Sequence, residues 1–392
     1  MAIIVKKFGG TSVGSVELIR HIAARIAAGK KPGDAVVLVV SAMAKTTDDL
    51  VALAYGISPH PSRRELDMLL TAGERISMAL LSLALQEEGL DSISFTGSQS
   101  GIITDDRHGN ARILNVNAFR IREELARGKI VIVAGFQGVS QSKEITTLGR
   151  GGSDTSAVAL ACYLQAERCE IHTDVDGVFT ADPRLVRSAR LLPELGYAQM
   201  LALAYNGSKV LHPRAVEFAW KYQIPVEVKS SFTFEPGTLL TPAPTTQQGT
   251  NMEERKITAI AHKQNLIRYS VAADQRLIGA LKDWHNEIFR WWVEGARAEL
   301  VCEAKYDAEI AHWLDTRQIA ILGREAGLGG VTLVGLGINL DPGWLARTLE
   351  LCAPYDIRRV QHSDMTIELL LPSEQVPACV QALHQAFLGD TP

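Results

Sequence analysis

The sequence predicts an α/β protein, a layered sandwich on a mostly parallel sheet, followed by a second, separately folded region. Three observations carry this. Short, wholly apolar runs alternate with helical patterns over the first 240 residues. Two glycine-rich loops lie between an extended stretch and a helix. Composition then changes at Glu235 to Gly249, where proline, threonine and glutamine replace apolar periodicity.

The first strand is expected at Ile3-Ile4-Val5, in a stretch that turns glycine-rich too soon for a signal peptide. A helix follows, because Leu18, Ile19, Ile22, Ala23 and Ile26 recur at helical spacing, with Ser15 placed to cap it and Gly29 to stop it. Ala35 to Val40 is the next strand. A second apolar helix, with Ile76, Leu80, Leu83 and Ala84, follows Glu74, whose carboxylate would complement the helix dipole. Ile93 to Phe95, Ile130 to Ala134, Cys169 to His172 and Val226 to Val228 are too short for helices. Ala35 to Val40 and Ile130 to Ala134 lack polar alternation, which suits strands buried on both faces. Another apolar helix begins near Ala157. Such alternation implies crossover connections, and ligands then sit beyond the carboxyl ends of the strands.

The 392 residues suit two or three domains. With 46% hydrophobic and 21% charged residues, disordered, collagen-like and disulfide-scaffold classes are excluded. Forty basic against 44 acidic residues give no electrostatic reason for nucleic acid. No uninterrupted apolar run reaches the roughly 18 residues of a membrane span. Through Gln248 there are 26 basic and 25 acidic residues, and after it 14 and 19, so the two parts carry +1 and −5. Five of the six tryptophans also follow that point. The five cysteines are scattered without a C-x-x-C pair, as expected of buried thiols in a reducing cytoplasm. No His/Cys cluster has zinc spacing, and His21, His60 and His262 are isolated.

The loops carry the chemistry. After the first strand comes Lys7-Phe8-Gly9-Gly10-Thr11-Ser12-Val13-Gly14, whose glycines let backbone N–H groups approach a phosphate closely; it is not a Walker A loop. A second, Thr147-Leu148-Gly149-Arg150-Gly151-Gly152-Ser153-Asp154-Thr155, holds more than the helix cap that Ser153 or Asp154 would supply. Two such loops in one sheet domain suit a site gripping several negative charges. The third, Thr173-Asp174-Val175-Asp176-Gly177 through Asp182-Pro183-Arg184, has turn chemistry, and its glycine falls too early for a calcium loop. Gly335-Leu336-Gly337-Ile338-Asn339-Leu340 lacks the third glycine of a dinucleotide fold.

These strings, with Ser41-Ala42-Met43, Thr71-Ala72-Gly73-Glu74-Arg75, Gly135-Phe136-Gln137-Gly138 and Gly207-Ser208-Lys209-Val210-Leu211, resemble aspartate kinase almost continuously from residue 1 to about 240. The resemblance implies a three-layer amino-acid kinase sandwich, then two α+β ACT-like modules. It implies ATP-dependent phosphorylation of the L-aspartate side-chain carboxylate to 4-phospho-L-aspartate, the first step towards lysine, threonine and methionine. A carboxylate nucleophile is already ionised at neutral pH, so no general base is required. The obstacle is repulsion, about 5 kcal/mol per pair of unit charges at about 3.5 Å and an effective dielectric near 20.

By the same resemblance, Lys7 contacts the phosphates and Asp154 orients it. Arg150 pairs with a substrate carboxylate and Glu74 accepts the α-ammonium. Ser41, Thr47, Gly151, Gly152 and Ser153 surround the substrate. Phe8, Gly9, Gly10, Thr11, Ser12, Thr173, Asp174, Phe179, Asp182, Arg184 and Lys209 fall on the nucleotide side. Mg2+ would arrive with ATP, without protein ligands of its own. Phe179 stands where tyrosine is more usual, and Ala44 where glycine or serine is. The rival readings are a kinase of another small carboxylate and a non-catalytic amino-acid sensor; intact Lys7, Arg150, Glu74 and Asp154 speak against both.

The division expected is a catalytic domain over 1–240, a linker over 241–252 and tandem ACT-like modules over 253–392, the second at about 328–388. In the second, Gly330 to Gly335 is a strand, Asp341-Pro342-Gly343 a turn into a helix, His362 to Ile367 a later strand and Ala378 to Phe387 a helix. The first opens at Ile257-Thr258-Ala259-Ile260 but diverges. After Tyr269-Ser270-Val271 it has Ala272-Ala273-Asp274-Gln275 in place of Asp-x-Pro-Gly, then the tryptophan-rich stretch 284–292. Altered feedback by lysine or threonine, and a homo-oligomer formed through the ACT modules, are the corresponding expectations.

Overall fold

The computed structural model describes residues 2–242, 256–282 and 288–389. Trp284 and almost all of the expected linker lie outside them. The described residues form two compact units, one of 2–178, 191–201 and 209–242, the other of 179–190, 202–208, 256–282 and 288–389. The division is thus not a single cut near residue 240.

The first unit runs β1 (Ile3–Phe8), α1 (Val16–Gly29), β2 (Ala35–Val40), α2 (Thr46–Ile57), α3 (Arg63–Glu87), β3 (Ser92–Phe95), β4 (Ile102–Thr104), β5 (Ile113–Val116) and α4 (Phe119–Ala126). It continues with β6 (Ile130–Ala134), β7 (Gln137–Ser140), β8 (Ile145–Thr147), α5 (Gly152–Leu164), β9 (Arg168–Thr173), β10 (Glu194–Gly196), α6 (Tyr197–Tyr205, whose residues from Ala202 onward belong to the second unit), α7 (Pro213–Tyr222), β11 (Val226–Ser230) and β12 (Thr238–Thr241). The main sheet has the order β10-β12-β11-β9-β1-β2-β6-β3 and is parallel except where β12 meets β11. A smaller sheet, β5-β4-β7-β8, escaped the sequence reading.

Every residue of β2 and β6 is buried, as their apolar runs demand. On one face Val36, Leu38, Ile130 and Ile132 pack with Ile19 and Ile22 of α1 and Leu81 and Leu85 of α3. The other face meets α5, buried along nearly its whole length. Ser15 caps α1, its Oγ accepting from Leu18 N at 3.3 Å.

Helix α3 corrects one expectation: it starts at Arg63, so Glu74 lies mid-helix and not at a helix start. Of the apolar positions named from the sequence, Leu80 and Ala84 pack against the core, while Ile76 and Leu83 are exposed. Asp67, Thr71, Glu74 and Ser77 line the buried face. An 18-residue stretch of this helix reaches a mean hydropathy of 1.4, yet it packs on α1, β2, β3 and β6 as a core helix with two buried carboxylates.

The second unit holds β13 (Lys256–Ala272), α8 (Gln275–Leu281), β14 (Arg290–Glu294), β15 (Arg297–Glu303), α9 (Asp307–Thr316), β16 (Ile321–Leu336), α10 (Pro342–Cys352), β17 (Arg359–His362), β18 (Thr366–Pro372) and α11 (Val376–Phe387). Its sheet is antiparallel, in the order β14-β15-β13-β16-β18-β17. The modules are nested, not consecutive. The second half of β13 pairs with β15 and the start of β16, while its first half pairs with the end of β16, which in turn pairs with β18. Two larger apolar cores result, one around Ile267, Tyr269, Leu300 and Leu314, the other around Ile260, Leu333, Ile367 and Leu383, beside a smaller cluster of Leu266, Val301, Leu328 and Leu370. His362 ends β17 and Thr366 starts β18, with a hairpin turn over residues 363–365 between them, so the single strand expected at His362 to Ile367 is corrected. Asp341 caps α10 as expected, and Asp274 caps α8 where the Pro-Gly turn is missing.

Candidate active site

The site is built where β1, β2, β6 and β9 end. Lys7, the penultimate residue of β1, is buried, and its Nζ lies 2.7 Å from Oδ1 of Asp154 in the first turn of α5. The two glycine loops, far apart in sequence, are therefore joined by an ion pair. Gly9 N donates to His172 O at 3.2 Å, and Gly9 O accepts from Ser12 N and Val13 N, folding the first loop tightly. A Cβ on Gly10 would stand 2.9 Å from Ala42 O.

The second loop is closely packed. Gly151 has φ +64°, and a Cβ there would overlap His212 at 2.2 Å. A Cβ on Gly152 would meet Phe136 at 2.9 Å. Ser153 and Asp154 are buried, while Arg150 is exposed and makes no ion pair with the described residues.

Glu74 projects from α3 beside the loop after β2. Its Oε1 accepts from Ala42 N at 3.1 Å, and Oε2 is buried without a hydrogen-bond partner among the described residues. Burial pushes this carboxyl up to about 7, against the lowering pull of the backbone N–H groups. Ser77 Oγ donates to Ser41 O at 2.7 Å, tying the same loop to α3. Thr47 is half-buried in the first turn of α2. Ala44, in the position where glycine or serine is more usual, adopts φ +41°, a conformation that glycine takes more readily.

Phe8, Gly9 and Ser12 are buried and Thr11 is exposed. Thr173 ends β9, its hydroxyl donating to the exposed Asp174, and Lys209 is exposed. Phe179, Asp182 and Arg184 belong to the second unit. There Arg184 holds Asp182 with two side-chain bonds of 3.0 and 2.8 Å.

Two features were missed from sequence. Ser12 Oγ donates to Ser231 Oγ at 2.8 Å, and Ser231 Oγ donates to Thr173 O at 3.0 Å, linking the first glycine loop to the ends of β9 and β11. His172 stacks on Phe8, ring centroids 4.6 Å apart, and its Nε2 lies 3.1 Å from Glu170. Burial lowers the imidazole. It would raise Glu170, but the His172 hydrogen bond and the charges of Lys6 and Lys229 hold that carboxyl well below its usual range. A neutral ring beside a carboxylate follows. Only the inward side of β9 hinted at His172, and nothing local signalled Ser231.

The profile of the Amino acid kinase family matches residues 2–230. The aspartokinase of Geobacillus stearothermophilus is 44% identical over 405 residues, covering 99% of this chain and 97% of its own. The chain belongs to the aspartokinase family. Aspartokinase 2 of Bacillus subtilis (strain 168) is 42% identical, covering 99% and 98%. Among solved structures, Escherichia coli aspartokinase III in complex with aspartate and ADP superposes with a TM-score of 0.83 at 25% identity, covering 98% of this chain and 99% of that one. As an aspartokinase the chain is an enzyme, a kinase, and its loops supply what phosphoryl transfer asks of a protein: positioned cations and backbone donors.

Proposed function

We propose that this chain transfers the γ-phosphoryl group of ATP to the side-chain carboxylate of L-aspartate, giving 4-phospho-L-aspartate for lysine, threonine and methionine synthesis in the cytoplasm. The observation that carries the reading is the Lys7–Asp154 pair of 2.7 Å between the two glycine loops. Lys7 neutralises charge on the transferring group, and Asp154 fixes its ammonium. Backbone N–H groups of Gly9 to Ser12 receive phosphate oxygens. Arg150 meets a substrate carboxylate with a planar fork that lysine lacks. Glu74 accepts the α-ammonium through Oε2, with Ser41, Thr47, Gly151, Gly152 and Ser153 around the substrate. Thr173, Asp174, Phe179, Asp182, Arg184 and Lys209 serve the nucleotide side.

Mg2+ supplies further charge neutralisation when it enters on the triphosphate. The ion is held chiefly by phosphates and water. The nested modules form an ACT-like regulatory region and the surface for a homo-oligomer. Lysine or threonine acts there weakly or differently, because Ala272-Ala273-Asp274-Gln275 replaces the Pro-Gly turn. A hydroxamate assay with ATP, Mg2+ and a panel of amino acids tests the substrate: preferred turnover of aspartate is expected, and preference for glutamate or another acid overturns it.

A further inference from the structure

Two turns before Glu74, the same buried face of α3 carries Asp67, a fully buried carboxylate with no place in the chemistry above. It collects four donor contacts. Thr147 Oγ1 donates at 2.5 Å, Gly109 N approaches both oxygens at 3.1 Å, and His108 Nδ1 lies 2.7 Å away. Thr147 is the first residue of the glycine loop that holds Arg150. Residues 108–111 form the wall against which that loop rests: Ala111 N donates to Thr147 O at 2.8 Å, and a Cβ on Gly149 would stand 3.1 Å from Asn110 Oδ1. Arg214 clasps the two segments from outside, donating to Leu148 O at 2.5 Å and Ala111 O at 2.8 Å.

Burying a carboxylate is costly unless its bonds are all made, and an apolar contact would pack α3 against β8 at lower cost. What the carboxylate adds is direction, since its donors fix one register of the loop relative to the helix. Glu74 and Asp67 thus descend from one rigid element, one beside Ala42 and the other at the base of the Arg150 loop. We propose that Asp67 is a positioning residue for aspartate: through Thr147 and Gly109 it sets the separation between Arg150 and Glu74, and so governs aspartate binding and not nucleotide binding. This rests on the aspartate reading above.

The test compares Asp67→Asn, Thr147→Val and Thr147→Ser in the full chain. Asp67→Asn and Thr147→Val are expected to raise KM for aspartate at least about tenfold, leaving KM for ATP within about twofold, while Thr147→Ser, which keeps the hydroxyl, restores near-normal KM. Amide hydrogen exchange across 147–152 should quicken in the first two variants and not in the third. That readout holds whichever carboxylate is the substrate, so it separates failure of this proposal from failure of the substrate reading. Unchanged exchange, both KM values rising together, or a Thr147→Ser variant as impaired as Thr147→Val overturns it. If Asp67→Asn does not fold, the two Thr147 variants decide.

Discussion

Lys7 Nζ and Asp154 Oδ1 stand 2.7 Å apart, both side chains nearly buried, at the point where the first and second glycine loops meet. On the proposed function, this pair orients the Lys7 ammonium for the phosphates before substrate arrives. Lys7→Ala should lower kcat by at least ~100-fold, the scale of losing a partner to transition-state charge. Steady-state rates at saturating ATP and aspartate check it, and near-normal kcat would refute the role of Lys7. Asp154→Asn should cost less, because the lysine survives without its orienting charge.

Glu74 sets a pH dependence. Its folded-state value near 7 lies above the ordinary 4.5, so between these values the folded free enzyme keeps a proton that the unfolded chain has released. Stability is therefore fully present below the lower value and falls as pH rises through the window, by up to roughly 3 kcal/mol. Melting at pH values across this range should show that fall in the parent chain and a flatter course in Glu74→Gln. If Glu74 binds the α-ammonium as proposed, it must do so ionised, so KM for aspartate should drop as pH rises from about 6 to 8, and Glu74→Gln should abolish the slope.

Gly151 admits no side chain. With φ +64° and His212 Cγ 2.2 Å from the position of a Cβ, Gly151→Ala must shift either the loop or the start of α7. A loss of at least about 1 kcal/mol by denaturant titration is expected, with a rise in KM for aspartate. Parent-like values on both counts would show that the loop is not fixed there.

How far these features were legible depends on where their signals lie. β2 and β6 announced themselves, since strands buried on both faces must be apolar throughout. Helix α3 misled because its inward face carries Asp67, Thr71, Glu74 and Ser77, which an apolar-periodicity reading places outside. The glycine loops were visible because their chemistry is local. Ser12 and Ser231 meet across 219 positions, and no pattern around either one indicates the other. The nesting of the second unit was hidden for a related reason: β13 is one unbroken strand that serves two cores, and nothing in its composition marks the handover.

The altered first module predicts altered control. Lysine and threonine, added singly to the kinase assay, should give no half-inhibition at sub-millimolar concentration; such inhibition by either would overturn the proposal. A Trp291→Ala or Trp292→Ala variant, measured for size, checks whether β14 packs between subunits. Trp291 is exposed on this edge strand, so a shift to smaller species is expected.

Phosphorylation of the aspartate side chain is tested most directly by mass spectrometry of the hydroxylamine-trapped product. With ATP, Mg2+ and L-aspartate, aspartate β-hydroxamate is expected, formed in step with ADP. ADP release without hydroxamate, or trapping at the α-carboxyl, would contradict it.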